Sequence, residues 1–262
     1  MISLEQIKTY YPPMLSGNIS FQKYILKEYI LLLILDFLSD SKWVKKLRFI
    51  GGTCLRLVKG IDRFSEDIDF DCKNFSREDF TEMTEDVFLF LKRAGLNAVF
   101  KDKESERISA FRRSFYFPEL LYNMGISGHR DERFLIKIEC EDQGFEYEPF
   151  IAKIEGCGFY FNFPVPDDSV LCSMKIAAML SRAKGRDFYD TAFLITRAKP
   201  DFSYLKKKCG ISDSNELEHA IKKLLSRTDL DKKSKDFEHL LFERKNSRKI
   251  LEFSGKRSPF RK

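Results

Sequence analysis

Histidine is scarce in this 262-residue chain, which has only His129, His219 and His239. Cysteine occurs six times (Cys54, Cys72, Cys140, Cys157, Cys172 and Cys209), and no two of these form a C-x-x-C pair. Both facts argue against a zinc site of the usual ligand spacing. The scattered thiols read as reduced core residues of a cytosolic protein. Long apolar runs are missing too. The best, Tyr29 to Leu38, is about half the ~20 residues a membrane span needs, and Asp36 interrupts it. A buried helix is expected there instead. Met1-Ile2-Ser3-Leu4-Glu5-Gln6 lacks the basic-then-apolar layout of a signal peptide, so the expected location is the cytoplasm and no membrane partner is expected. The chain shows no internal repeat or low-complexity tract.

Charge, by contrast, is abundant and uneven. The net charge is +6. Residues 201–262 hold 17 Lys/Arg against 10 Asp/Glu, a surplus of +7, while residues 1–200 hold 29 against 30. The whole basic excess lies in the last quarter. That asymmetry fits contact with a polyanion such as nucleic acid, or a lysine-rich solvated face.

Along the chain, Phe21 to Leu38 reads as a central helix, and Leu47 to Ile50 as a short buried strand ended by Gly51-Gly52. Thr53 to Lys59 has helical spacing. Ser65 to Asp71 alternates carboxylates with Ile68 and Phe70, the period of a strand. Phe75 to Ala94 is helical, with Ser76 as N-cap and Asp79 three residues on. Asn97–Lys101, Arg113–Phe117, Phe134–Cys140 and Gly158–Phe163 read as further strands of the same sheet. After Pro164-Val165-Pro166 the pattern turns helical. Asp167 or Asp168 caps a helix to about Ala183, Lys184-Gly185 breaks it, and Asp187 starts another. A helical, basic pattern continues to Lys249, and Gly255 to Lys262 reads as a frayed tail. The fold class expected is α+β, with an α+β domain over residues 1–163 and a helical, basic domain over 164–262.

The chemistry is expected at Asp67 and Asp69. Two residues apart on a strand, their carboxylates project from one face with stems roughly 6–7 Å apart, a spacing suited to a shared hard cation. Gly51-Gly52-Thr53 falls between a strand and a helix start, where free main-chain N–H groups can hold phosphate oxygens and Thr53 adds a hydroxyl. A third carboxylate, Glu139, shares a strand face with Lys137; it could complete a metal site, act as a base, or form a cross-strand ion pair. Lys175 stands among Met174, Ile176, Ala177 and Ala178, where an ammonium needs an anionic partner or an escape to water. Arg182 and Arg186 follow along the same helical stripe. Asp187 reads as a helix cap or as the partner of Lys175 or an arginine, and Asp190 as structural.

These stretches resemble the AbiEii/AbiGii toxin family of nucleotidyltransferase-like proteins. The resemblance is carried by Gly51-Gly52-Thr53-Cys54-Leu55, by Phe64-Ser65-Glu66-Asp67-Ile68-Asp69-Phe70, by Lys175 through Arg182, by Arg186-Asp187-Phe188-Tyr189-Asp190, and by the helix Gln22 to Tyr29. It implies a polymerase-β-like nucleotidyltransferase core with a helical C-terminal part. The implied activity transfers a nucleoside monophosphate from a nucleoside triphosphate to an acceptor, tRNA first among them, in a type IV toxin–antitoxin or phage-defence system with a cognate antitoxin. By the same resemblance Gly52 and Thr53, with Gly51 beside them, bind phosphate, Asp67 and Asp69 bind Mg2+, Lys175 holds the triphosphate, and Asp187 matches the fourth acidic motif. Glu139 stands where the superfamily usually has a third metal-binding carboxylate, Asp as often as Glu, and Arg182 would join Lys175 in offsetting charge on the leaving group. Two other readings stay open: a metal-dependent nuclease or phosphotransferase, which leaves Gly51-Gly52-Thr53 and Lys175 unexplained, and a non-catalytic module that binds nucleic acid or a partner protein.

Overall fold

The structure is a computed structural model that describes residues 2–101 and 111–254. The expected frayed tail, Gly255 to Lys262, lies outside the described residues. The chain forms two compact units, one of Met1–Gly60, Phe64–Gly144 and Pro149–Val165, the other of Ile61–Arg63, Phe145–Glu148 and Pro166–Lys262.

The first unit opens with two short helices, α1 (Leu4–Lys8) and α2 (Pro13–Ser16), followed by the long α3 (Gln22–Ser39). Ile25, Leu26, Ile30, Leu31, Ile34 and Leu35 of α3 are buried around its circumference, as a helix with apolar residues on most faces requires. Then come β1 (Leu47–Ile50), α4 (Gly51–Leu57), β2 (Ile68–Cys72) and α5 (Arg77–Arg93). The expected Ser76 cap is present: its hydroxyl accepts from the Asp79 N–H while the Asp79 carboxylate accepts from the Ser76 N–H. The remaining elements are β3 (Val99–Phe100), β4 (Phe111–Tyr116), α6 (Leu120–Asn123), β5 (Leu135–Glu141), β6 (Phe150–Gly156) and β7 (Phe159–Val165).

Five strands form one sheet in the order β1-β2-β5-β4-β3, with β2 and β5 parallel and the other pairs antiparallel. One expectation is corrected here. The strand expected at Gly158–Phe163 does not belong to this sheet; it pairs with β6, which the sequence reading passed over. The physical reason is local. Cys157 and Gly158 adopt left-handed conformations between β6 and β7, closing a hairpin before either strand reaches another partner. The hairpin still feeds the same core, because Phe163 packs on Phe70 at 5.6 Å and on Phe49 at 5.9 Å between ring centroids. Two boundaries also differ: β2 starts at Ile68 rather than Ser65, and α4 starts at Gly51 rather than Thr53.

The second unit is helical: α7 (Asp168–Arg182), α8 (Gly185–Ile195), α9 (Phe202–Cys209), α10 (Ser214–Leu225) and α11 (Leu230–Lys235), followed by 3-10 turns at Glu238–Leu240 and Arg244–Ser254. Asp167 caps α7 through the Val170 N–H, and Ala183 ends it in a left-handed conformation. Gly185 is required by packing, since a Cβ there would lie 2.0 Å from the Lys233 carbonyl oxygen of α11. Lys206, Lys207 and Lys208 occupy the last turn of α9, and Lys222 and Lys223 that of α10, where cations suit the carbonyl end of a helix. Among the described residues no helix is long and apolar enough to cross a membrane.

Candidate functional site

In the first unit the acidic residues gather on one sheet face because of strand register. Asp69 of β2 stands opposite Ile50 on β1 and opposite Glu139 on β5, and Glu139 stands opposite Arg112 on β4. Asp67 immediately precedes β2 and falls on the same face, two residues from Asp69. Asp71 continues the row but is fully buried, accepting from the Gln143 N–H at 2.8 Å with Lys73 Nζ at 3.6 Å. Behind the face, Ile68, Phe70, Ile136 and Ile138 are buried in the core, so a slip by one residue would bury the carboxylates and expose the core.

The Gly51-Gly52 turn is built around Asp69. Gly51 has φ +79°, and a Cβ on it would lie 2.0 Å from Asp69 Oδ2, so only glycine lets the turn reach the carboxylate. Thr53 is buried, and its hydroxyl donates to the main-chain carbonyl of Asp67. Its visible work is to tie the start of α4 to the start of β2.

Glu139 and Lys137 are neighbours on one face of β5. Lys137 Nζ lies 2.5 Å from Glu139 Oε1 and 3.3 Å from Asp67 Oδ2, while Arg112 Nε reaches the same Glu139 oxygen at 3.1 Å. Partial burial would lower the Lys137 amine, but Asp67 and Glu139 more than offset it, and the group titrates above the ordinary lysine range. Among the described residues no group of three or more His, Cys, Asp or Glu side chains could hold a metal ion. The donor chemistry still fits Mg2+, which binds through one or two carboxylates and completes its shell with water and substrate phosphate oxygens. Asp67 and Asp69, on one sheet face, would supply that pair.

In the second unit the charged residues form a pair and a triad that the sequence pattern only half resolves. Asp187, at the third position of α8, receives Arg182 bidentately at 2.9 and 2.7 Å and also accepts from the Lys184 N–H at 3.2 Å. It is thus both the arginine partner and a capping group. Lys175 meets Asp190, at 2.8 Å. Asp190 in turn holds Arg63 in a two-bond fork, 2.7 Å on each arm, with both side chains out of water. Burial by itself would raise the Asp190 carboxyl; the Arg63 guanidinium and the Lys175 ammonium overcome it and hold the group at about 2. Arg63 is a residue the sequence reading missed. Its partner is 127 positions away, and no local pattern links them. Nearby, Asp62 accepts from the Tyr189 hydroxyl at 2.7 Å and from the Asn246 amide at 2.8 Å, fastening Ile61–Arg63 within this unit.

The family model described as nucleotidyl transferase AbiEii toxin, type IV TA system, matches residues 33–240. Among solved structures, the nucleotidyltransferase toxin MenT4 from Mycobacterium tuberculosis aligns with a TM-score of 0.52 at 17% identity, over 89% of this chain and 74% of its own. JHP933 from Helicobacter pylori aligns with a TM-score of 0.51 at 19% identity, over 87% of this chain and 88% of its own. At such identities the likeness speaks for the fold. No curated protein matches significantly in sequence.

Proposed function

The chain belongs to the AbiEii nucleotidyltransferase toxin family of type IV toxin–antitoxin systems, and from that premise we propose that it transfers a nucleoside monophosphate from a nucleoside triphosphate to an RNA acceptor, tRNA first, using magnesium on Asp67 and Asp69. The observation that supports this reading most is the fit of Gly51 against the Asp69 carboxylate, which puts a glycine turn at the start of a helix beside an acidic pair. Bound there, the metal would supply charge neutralisation for the reacting phosphate. The main-chain N–H groups of Gly51 and Gly52 hold phosphate oxygens, and Thr53 keeps that turn fixed to Asp67. The family resemblance assigns Lys175 to the triphosphate, and Arg182 would join it in offsetting charge on the leaving group. Within their own unit Asp190 and Asp187 fix those two cations, so little is spent on ordering them when an anion arrives.

The family carries an antitoxin partner, and the acceptor is read from charge. The basic surplus after residue 200 offers a polyanion cationic partners that the nearly neutral remainder does not. Incubation with each labelled nucleoside triphosphate, total tRNA and Mg2+, followed by gel analysis, tests the reading. Label should enter RNA with the wild-type chain and vanish with Asp67→Asn or Asp69→Asn at unchanged melting temperature. Undiminished transfer by either variant, or no labelled RNA with any triphosphate, would overturn it.

A further inference from the structure

Lys137 points into the acidic face rather than away from it. Its Nζ bridges Asp67 Oδ2 and Glu139 Oε1, at 3.3 and 2.5 Å, so a monovalent cation stands between two carboxylates of the kind that share divalent ions in two-metal sites. Glu139 is already committed, because its Oε1 also receives Arg112 Nε at 3.1 Å. We propose that the Lys137 ammonium is a resident cation of this face, replacing one of two metal ions, so that the chain takes a single divalent ion on Asp67 and Asp69. Glu139 then acts as a positioning residue that holds the ammonium.

Three observations carry the inference, which rests on the magnesium reading above. First, register fixes where the side chain starts. Lys137 and Glu139 are two residues apart on one strand, on the face that β2 shares with Asp69, so the lysine stem leaves the sheet on the acidic side. Second, the charge count balances with one ion. Asp67, Asp69 and Glu139 contribute −3, Lys137 and Arg112 contribute +2, and the five groups together carry −1. One divalent ion brings the set to +1, the value two ions would give with the three carboxylates alone. Third, the Glu139 side chain is 18% exposed and Lys137 34%, so the pair is partly withdrawn from water and its attraction is less screened than that of a surface bridge.

Counting bound Mn2+ by electron paramagnetic resonance on the full chain tests this without relying on turnover. Wild type should bind one Mn2+. Lys137→Met should bind two, or bind the first at least tenfold more tightly, and Lys137→Gln should behave the same way. Arg112→Met, which leaves Lys137 in place, should still bind one. Two ions in the wild type, or one ion of unchanged affinity in both Lys137 variants, would overturn the inference while leaving the magnesium reading standing. An absence of Mn2+ binding in the wild type, with or without nucleotide, would instead remove the metal site and this inference together.

Discussion

Gly51 is the residue through which the acidic face and the glycine turn depend on each other. A methyl group there meets the Asp69 carboxylate head-on and must also adopt φ +79°, so Gly51→Ala is strained twice. The expected outcome is loss of transfer below a hundredth of wild type, together with a stability loss of roughly 1–3 kcal/mol. Single-turnover assays and denaturant melts read the two effects separately. Asp190 illustrates the opposite case, a carboxylate whose work is done out of sight. Removing its charge in Asp190→Asn leaves Arg63 and Lys175 buried without their counter-ion, and unfolding in urea should show a loss of about 3–5 kcal/mol. Its pH signature follows from the depressed folded value of about 2 against an ordinary 3.8. The stabilisation is complete above the unfolded value and disappears as pH falls through the folded one, on the order of 2 kcal/mol in all. Urea unfolding of the wild type from about pH 5 to about pH 2 should show that loss, and the Asp190→Asn protein should lack that component of it.

At the scale of elements, caps and strand periods were legible because their signals are local. Ser76 with Asp79, the apolar run of β1, and the alternation around Asp67 and Asp69 each declare themselves within a few residues. The Ser76 box is testable on that footing: Ser76→Ala should cost about 1 kcal/mol, and the N-terminal turn of α5 should lose amide protection first. What stayed hidden was set by distant partners. β6 alternates well enough to be a strand, yet its pairing with β7 alone depends on a two-residue turn rather than on its own pattern. Arg63 likewise looks like any loop arginine until Asp190 arrives from α8. The acidic row, the glycine turn and Lys175 were readable as site candidates; the carboxylate that Lys175 meets, and the lysine that enters the acidic face, required the folded register.

At the scale of the whole molecule, the charge asymmetry becomes a statement about salt. Lys206, Lys207 and Lys208 lie together at the end of α9 and are all exposed. If they contact RNA phosphates, each contact adds roughly −0.7 to the slope of log affinity against log salt. Reversing all three to glutamate should therefore flatten the slope by about 2 and weaken tRNA binding in filter assays, while triphosphate affinity stays constant. Unchanged tRNA binding in the reversed protein would return these lysines to an ordinary solvated face.

The threading of the chain has a consequence of another kind. The second unit completes itself with Ile61–Arg63, three residues borrowed from the opposite half of the sequence. One of them, Arg63, fills the fork of Asp190, and another, Asp62, is bonded by Tyr189 and Asn246. A gene fragment encoding only residues after Val165 would therefore specify a helical body lacking the arginine its buried carboxylate was made for. Inheritance of the two halves is bound together: a fusion joint or recombination breakpoint between them separates Asp190 from the arginine that neutralises it.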